Sequence, residues 1–368
     1  MAVPAFDLAR AYARIAPQLD ERWREICAKT SFVLGPAVKE FESAWARHTG
    51  AVGAVGVANG TDALVVALRA LGVGPGDEVI VPAFTFFATG EAVVLVGAKP
   101  VFCDVESATL NIDLADAASR VTERTVGVIG VHLYGRPFDA DAARAFCERR
   151  SLWLMEDAAQ AQGAAWKGKP VGSLGTLAAW SFYPSKNLGC FGDGGAVTGT
   201  DAELLERVRR IANHGQVARY EHVEIGTNSR LDSLQAAVLL CRLALLDADN
   251  TRRRELACKY YGGLAGIGDL DLPQDPPGAT SVYHQLTVRT KRRAELMSHL
   301  AARGIGHAIH YPEPLHRQAS FASYVDSVPT LPVAEAAAAE VLSLPMFPEL
   351  TDAELEETVS AVRAFFAA

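Results

Sequence analysis

The 368 residues, 49% of them hydrophobic, are enough for a sizeable core and too many for one small domain, which predicts a large domain with a smaller one beside it. With 35 basic and 43 acidic residues the formal net charge is −8, so no overall basic footprint for nucleic acid or an anionic membrane exists. There is no run of about eighteen uncharged apolar residues, and residues 1–14 lack the apolar core and cleavage site of a secretory signal; a cytoplasmic enzyme acting on small molecules, with no membrane or nucleic-acid partner, is expected.

In chain order, the first forty or so residues are expected to pack against the smaller domain or to cover the site. From about residue 50 to 250, short apolar runs alternate with amphipathic helical ones, the pattern of a sheet built from βα units. Strands are expected at Glu78–Val81, Pro100–Asp104, Val126–Val131, Leu152–Asp157, Leu177–Phe182 and Ala196–Thr198. Their nearly continuous hydrophobicity suggests parallel strands covered on both faces. Thr61–Leu71 and Asp139–Arg149 carry helical spacing. A charged helical segment, Asp247–Tyr261, leads into a Gly/Pro-rich stretch, Gly262–Gly278, that reads as loops. Strand-like His284–Arg289 and Gly306–Tyr311 flank a helix near Arg292–Arg303, and the Ala-rich run around Ala336–Ala339 reads as helix. The domains are accordingly placed at 1–250 and 251–368. Cys27, Cys103, Cys147, Cys190, Cys241 and Cys258 show no paired or zinc-type spacing, so reduced thiols, several of them core filler, and no metal are expected.

Three local patterns carry chemistry. Lys186, in Ser181-Phe182-Tyr183-Pro184-Ser185-Lys186-Asn187-Leu188-Gly189, follows an apolar strand immediately and sits in a turn, from which it can point into a cleft. Asp157 closes an otherwise apolar strand beside Glu156, where ligands of α/β sheets bind. A carboxylate there needs a cation, either an arginine or a protonated pyridine nitrogen. Gln160 and Gln162 follow within reach of such a ring. In Asn59-Gly60-Thr61-Asp62 a Gly-containing turn runs into a helix whose free N–H groups and dipole suit a phosphate, although an ordinary cap by Thr61 or Asp62 explains it equally. Gly192-Asp193-Gly194-Gly195 precedes a strand and is a tight turn, not a dinucleotide fingerprint. A lysine, a strand-end aspartate and an anion site together are what pyridoxal phosphate requires.

These motifs, with Val81-Pro82-Ala83-Phe84-Thr85-Phe86, Asn228-Ser229-Arg230-Leu231-Asp232 and His310-Tyr311-Pro312, resemble the DegT/StrS family of sugar aminotransferases over nearly the whole chain. The resemblance implies a fold-type I pyridoxal-phosphate transferase of α/β class: a large domain with a mostly parallel sheet between helices, and a smaller α+β C-terminal domain. It implies that Lys186 carries the cofactor as a Schiff base, that Asp157 holds the ring nitrogen protonated, that Gln160 faces the ring's 3-oxygen and that Phe86 stacks on the ring. Gly60, Thr61 and Ser181 would hold the phosphate, and Asn228 would reach the phosphate of the neighbouring subunit, making a homodimer with shared sites. Arg230, His310 and Tyr311 would contact the sugar nucleotide. The implied reaction moves an amino group, from glutamate, to a nucleotide-linked keto-sugar by ping-pong kinetics. The stretch from Ser181 to Gly195, with His214-Gly215-Gln216 and Arg219-Tyr220, resembles members acting at C3 more than those acting at C4.

Two departures stand out: many members have histidine where this chain has Gln160 or Gln162, and several have glycine at Ser185. Sugar dehydratases of the family replace the lysine by histidine, whereas Lys186 is retained here. A 4-keto-sugar or aminocyclitol aminotransferase, and a catalytically silent regulator on the same fold, are the other readings.

Overall fold

The computed structural model describes residues 2–325 and 328–367. Seven strands, β1 (Gly53–Val57), β2 (Glu78–Pro82), β3 (Lys99–Cys103), β4 (Thr125–Val131), β5 (Trp153–Asp157), β6 (Leu177–Ser181) and β7 (Gly195–Gly199), form the central sheet. They lie in the order β1-β7-β6-β5-β4-β2-β3. From β6 to β3 all pairings are parallel. β7, expected to be parallel like the rest, runs antiparallel to both neighbours, because the chain returns to the sheet from β6 through the Lys186 loop without a crossover helix.

Alternation along each strand sends side chains to opposite faces. Val57, Val81, Val131, Met155 and Ala179 pack beneath helices Gly60–Ala70, Ala88–Leu95 and Ala202–Ala212, while Ile80, Val128, Leu154, Ala178 and Trp180 pack beneath Pro36–Thr49, Ala140–Glu148 and Ser233–Leu243. With both faces covered, functional groups are left to the strand ends, where Asp157 and Ser181 lie.

Helix Leu246–Leu264 leads into the C-terminal part, where β8 (Leu286–Arg289) pairs antiparallel with β9 (Val341–Leu344). Helices Arg293–Ala302 and Asp352–Ala367 cover this pair with a core of Leu256, Val288, Leu300, Leu342 and Val362, which Val3 joins. The expected strand at Gly306–Tyr311 is corrected: only Ala308 bridges, to Ser343. Gly306 instead donates its N–H to Val3 O at 2.7 Å, so the N-terminal segment claims the backbone that a strand would need. The Ala-rich run is helical, Pro332–Glu340, and passes directly into β9. All six cysteines are free, with Cys103, Cys147 and Cys190 buried. Among the described residues no helix is long and apolar enough to cross a membrane.

Candidate active site

The two carboxylates that end β5 part company because strand side chains alternate. Glu156 points with Leu154, is fully buried, and accepts backbone N–H groups of Gly172, Leu174 and Gly175 at 2.9 Å each, with His132 Nε2 at 3.0 Å. Four partners saturate it, so Glu156 anchors the fold. Asp157 points with Met155 toward the cleft. Its Oδ2 accepts the Thr89 hydroxyl at 2.7 Å and its Oδ1 the Ala159 N–H at 3.2 Å. Asp157 is buried and makes no ion pair among the described residues. Burial therefore pushes its carboxyl above the usual carboxylate range, although the two hydrogen bonds and the Lys186 ammonium pull the other way.

Beyond β6 the chain doubles back through tight turns, with Lys186 N–H bonded to Tyr183 O and Cys190 N–H to Phe182 O, both at 2.8 Å. Gly189 is required: a Cβ there would lie 2.5 Å from Pro184 O and 2.6 Å from Tyr183 O. The neighbouring Asn187 bolts the loop down, donating to Asn250 Oδ1 at 2.9 Å and Val282 O at 3.0 Å. Asn250 in turn donates to Gln162 O at 2.8 Å, so one residue of the Leu246–Leu264 helix ties the Lys186 loop to the segment following Asp157. The Lys186 ammonium itself has no hydrogen bond among the described residues. Burial pulls its pKa down to about 8, against the pull of the Asp157 charge. The same ammonium helps keep His284 and His310 neutral, each already depressed by burial, His310 to about 4.

Free backbone donors gather at the start of the Gly60–Ala70 helix, where a phosphate is expected from the sequence. Asn59, and neither Thr61 nor Asp62, caps this helix, accepting Asp62 N–H at 2.8 Å. The N–H groups of Gly60 and Thr61 are left without a partner among the described residues, facing the end of β6. A Cβ on Gly60 would lie 2.6 Å from Ser181 Cβ and 3.1 Å from its Oγ, so glycine lets the helix terminus and the Ser181 hydroxyl converge.

The structure also gathers Gln160, Tyr311 and Phe86. Gln160 Oε1 accepts Tyr134 N–H at 2.6 Å and its Nε2 donates to the Tyr311 hydroxyl at 2.9 Å. Phe86 is 55% exposed, and its ring lies 5.8 Å from that of Tyr311. His310 Nδ1 meets Ser343 Oγ at 2.9 Å, and its carbonyl accepts the Tyr134 hydroxyl. Asn228 and Arg230 are not part of this group. Asn228 is exposed beside the bridge to Asn213, and Arg230 bonds Asn213 Oδ1 at 3.3 Å in a separate cavity with Glu42 and Val55.

Residue reading passed over Thr89, Tyr134 and Asn250. Thr89 had a local signal: it lies one helical turn from Thr85, whose hydroxyl is 3.1 Å away, just beyond a strand end. Tyr134 and Asn250 act through contacts 26 to 176 residues distant in the chain, which no local pattern records.

Comparison with known proteins settles the family, whose profile matches residues 14–363. The chain belongs to the DegT/DnrJ/EryC1/StrS aminotransferase family. It is 46% identical to the dTDP-3-amino-3,4,6-trideoxy-alpha-D-glucose transaminase of Streptomyces venezuelae over 98% of this chain and 95% of that one. Among solved structures it is similar to S. venezuelae DesV in complex with a ketimine intermediate, with a TM-score of 0.97 and 45% identity, covering 100% of this chain and 99% of that one. NtdA from Bacillus subtilis with bound cofactor PMP superimposes with a TM-score of 0.92 at 28% identity, covering 100% of this chain and 86% of that one. The protein is thus an aminotransferase-family member with the fold expected of it.

Proposed function

We propose that this family member is a pyridoxal-phosphate-dependent aminotransferase that moves an amino group from L-glutamate to the C3 keto group of a nucleotide-linked keto-deoxysugar. The observation that carries the reading is the pairing of two complementary groups without ordinary partners, half-buried Lys186 with no hydrogen bond among the described residues and buried Asp157 with no ion pair among them. A cationic ring nitrogen would give Asp157 the charge that burial denies it. The unpaired N–H groups of Gly60 and Thr61, with the Ser181 hydroxyl, fit a phosphate, and exposed Phe86 offers an aromatic face. Gln160 is half spent on Tyr134 and Tyr311, leaving one amide N–H for a ring substituent. When bound, pyridoxal phosphate supplies an electron sink for the carbon that loses its proton.

The chain's own part follows from these positions. With a pKa near 8, Lys186 is neutral often enough at physiological pH for its Nζ to take a proton and return it. Asp157, ionised with Thr89 and Ala159 as donors, holds its partner's positive charge in place. Tyr311 and His310 wall the cleft beside Gln160 and Lys186 and are proposed to face the sugar. Asn228 and Arg230 are proposed to serve the other subunit's site. Their neighbours Tyr220 and Ile225 are 80% and 84% exposed, which suits burial in a homodimer. Domains are proposed at 1–250 and 251–368. The name of the S. venezuelae relative supports C3 and a dTDP-sugar acceptor. The test is turnover of a dTDP- or UDP-linked 3-keto-sugar with glutamate, the product's amino position read by NMR. Lys186→Ala is expected to abolish it, and an active Lys186→Ala protein would overturn the reading.

A further inference from the structure

Beside the lysine loop lies a cavity of about 130 Å³, bounded by the N-terminal segment, by Pro184 and Ser185, and by His310 and Ser343 of the C-terminal part. It could hold several waters or the end of a small molecule. Two arginines, Arg242 and Arg253, line it. Neither is hydrogen-bonded to a carboxylate among the described residues: Arg242 donates to Pro184 O and Gly189 O, and Arg253, 4% exposed, donates only from Nη1, to Tyr283 O, His284 O and Met346 O. Arg253 Nε is buried without a partner.

The acids nearby are already engaged. Asp7 caps its helix and pairs with Arg10 at 3.1 Å, while Glu349 and Asp249 share Arg14 at 2.7 Å each. The imidazoles of His284 and His310, which also line the cavity, are kept neutral by burial. Gln285 completes the wall with an amide that makes no hydrogen bond among the described residues and whose Oε1 is buried. Asp7 and Glu349 line the cavity with the two arginines, so its formal charge is balanced, but both acids are spent on Arg10 and Arg14. What remains unmet is the buried Arg253 Nε donor and the Gln285 amide, in a cavity whose wall at Ser185 is one residue from Lys186. Glu349 and Asp249 lie close enough to act on the Arg253 charge without accepting a hydrogen bond from it, and a buried guanidinium N–H with no acceptor stays costly until one joins it.

We propose that this cavity is the subsite for a carboxylate of the amino donor, held by Arg253 with Gln285 beside it. The proposal rests on the aminotransferase reading and extends it to how the donor is recognised. Guanidinium and carboxylate match in geometry and charge, and anchoring the acid end next to the lysine loop leaves the amino group to approach Lys186.

The test mixes the pyridoxal-phosphate-loaded protein rapidly with L-glutamate and no sugar, reading the donor's apparent dissociation constant and the limiting rate from the cofactor's absorbance. Glutarate, which has the carboxylates but no amino group, is titrated into the same proteins by calorimetry. Arg253→Met is expected to raise the glutamate constant about 10- to 100-fold and abolish glutarate binding, and Gln285→Leu to raise the constant about 3- to 10-fold, with limiting rates far less affected. Because Arg253 also bridges three carbonyls, Arg253→Lys, which keeps the charge but not the fork, and Gln285→Leu carry the test if the methionine variant does not fold. A glutamate constant within about twofold of the parent in the folded variants, a parent that binds no glutarate, or an effect confined to the sugar half-reaction would each overturn the subsite. A parent protein that takes up no pyridoxal phosphate overturns the aminotransferase reading and the subsite together, whereas a loaded parent indifferent to these substitutions overturns the subsite alone.

Discussion

Replacing Thr89 with Val preserves the shape of the side chain and deletes the hydroxyl that donates to Asp157 Oδ2 at 2.7 Å. A hydrogen bond to a charged group contributes about 1.5–3 kcal/mol. One pKa unit corresponds to about 1.36 kcal/mol, so the Asp157 carboxyl, already raised by burial, is expected to titrate about one to two pH units higher in the variant. The sign is fixed by the charge state the site needs. A carboxyl is ionised only above its pKa, so raising that pKa removes the charge first on the acid side. kcat/KM of Thr89→Val should fall by up to about 10- to 100-fold at the acid end of the profile, below the titration of both proteins, and recover toward the parent value in alkaline buffer, moving the acid limb of the pH profile upward. Thr89→Ser keeps a hydroxyl and should track the parent. A Thr89→Val profile whose acid limb stays where the parent's lies, with kcat/KM within about twofold at low pH, would refute the claim that Asp157 works as a buried charge tuned by its donors.

Other substitutions separate the anchor from the site. Glu156→Ala leaves His132 and three backbone N–H groups without their acceptor, and should cost about 3–5 kcal/mol of stability in urea unfolding. Gly60→Ala puts a methyl 2.6 Å from Ser181 Cβ, forcing the helix terminus and the hydroxyl apart; cofactor titration should show about 10-fold or greater loss of affinity, alongside about 1–3 kcal/mol of lost stability in unfolding of the cofactor-free protein. Lys186 holds its proton less tightly in the folded chain, at about 8, than in the unfolded one, so it opposes folding while the unfolded lysine stays protonated. Stability of the cofactor-free protein should therefore rise with pH from about 8 toward about 10.4 relative to Lys186→Met, and parallel pH curves for the two proteins would contradict the buried-lysine account.

Much of this architecture is legible in the chain because both faces of the sheet are covered. The strands at Glu78–Pro82, Lys99–Cys103, Thr125–Val131, Trp153–Asp157, Leu177–Ser181 and Gly195–Gly199 stand out as apolar runs that no helix period explains. β1, Gly53–Val57, goes unrecognised because small residues weaken its signal; Gly56 is needed there since a Cβ would lie 2.8 Å from Leu231 Cβ. β9 is hidden because helix Pro332–Glu340 passes into it with no turn residue between them. Alternation at Gly306–Tyr311 looks like a strand, yet the N-terminal segment takes its hydrogen bonds, a competition invisible locally.

The site divides in the same way. Lys186, Asp157 and the Gly60 turn announce themselves by position relative to strands and helices. What gives them their properties is tertiary: Thr89 reaching Asp157 across 68 residues, Asn187 meeting Asn250 across 63, and Arg253 closing the cavity from a helix that sequence marks only as charged.

The central claim, that Lys186 carries the cofactor opposite Asp157, is tested most directly by adding pyridoxal phosphate to the purified protein, recording its visible spectrum with and without glutamate, and mapping the borohydride-reduced adduct by mass spectrometry. The account predicts a yellow band that glutamate discharges and a pyridoxyl group on Lys186. A protein that stays colourless, or an adduct on a different lysine, would contradict it.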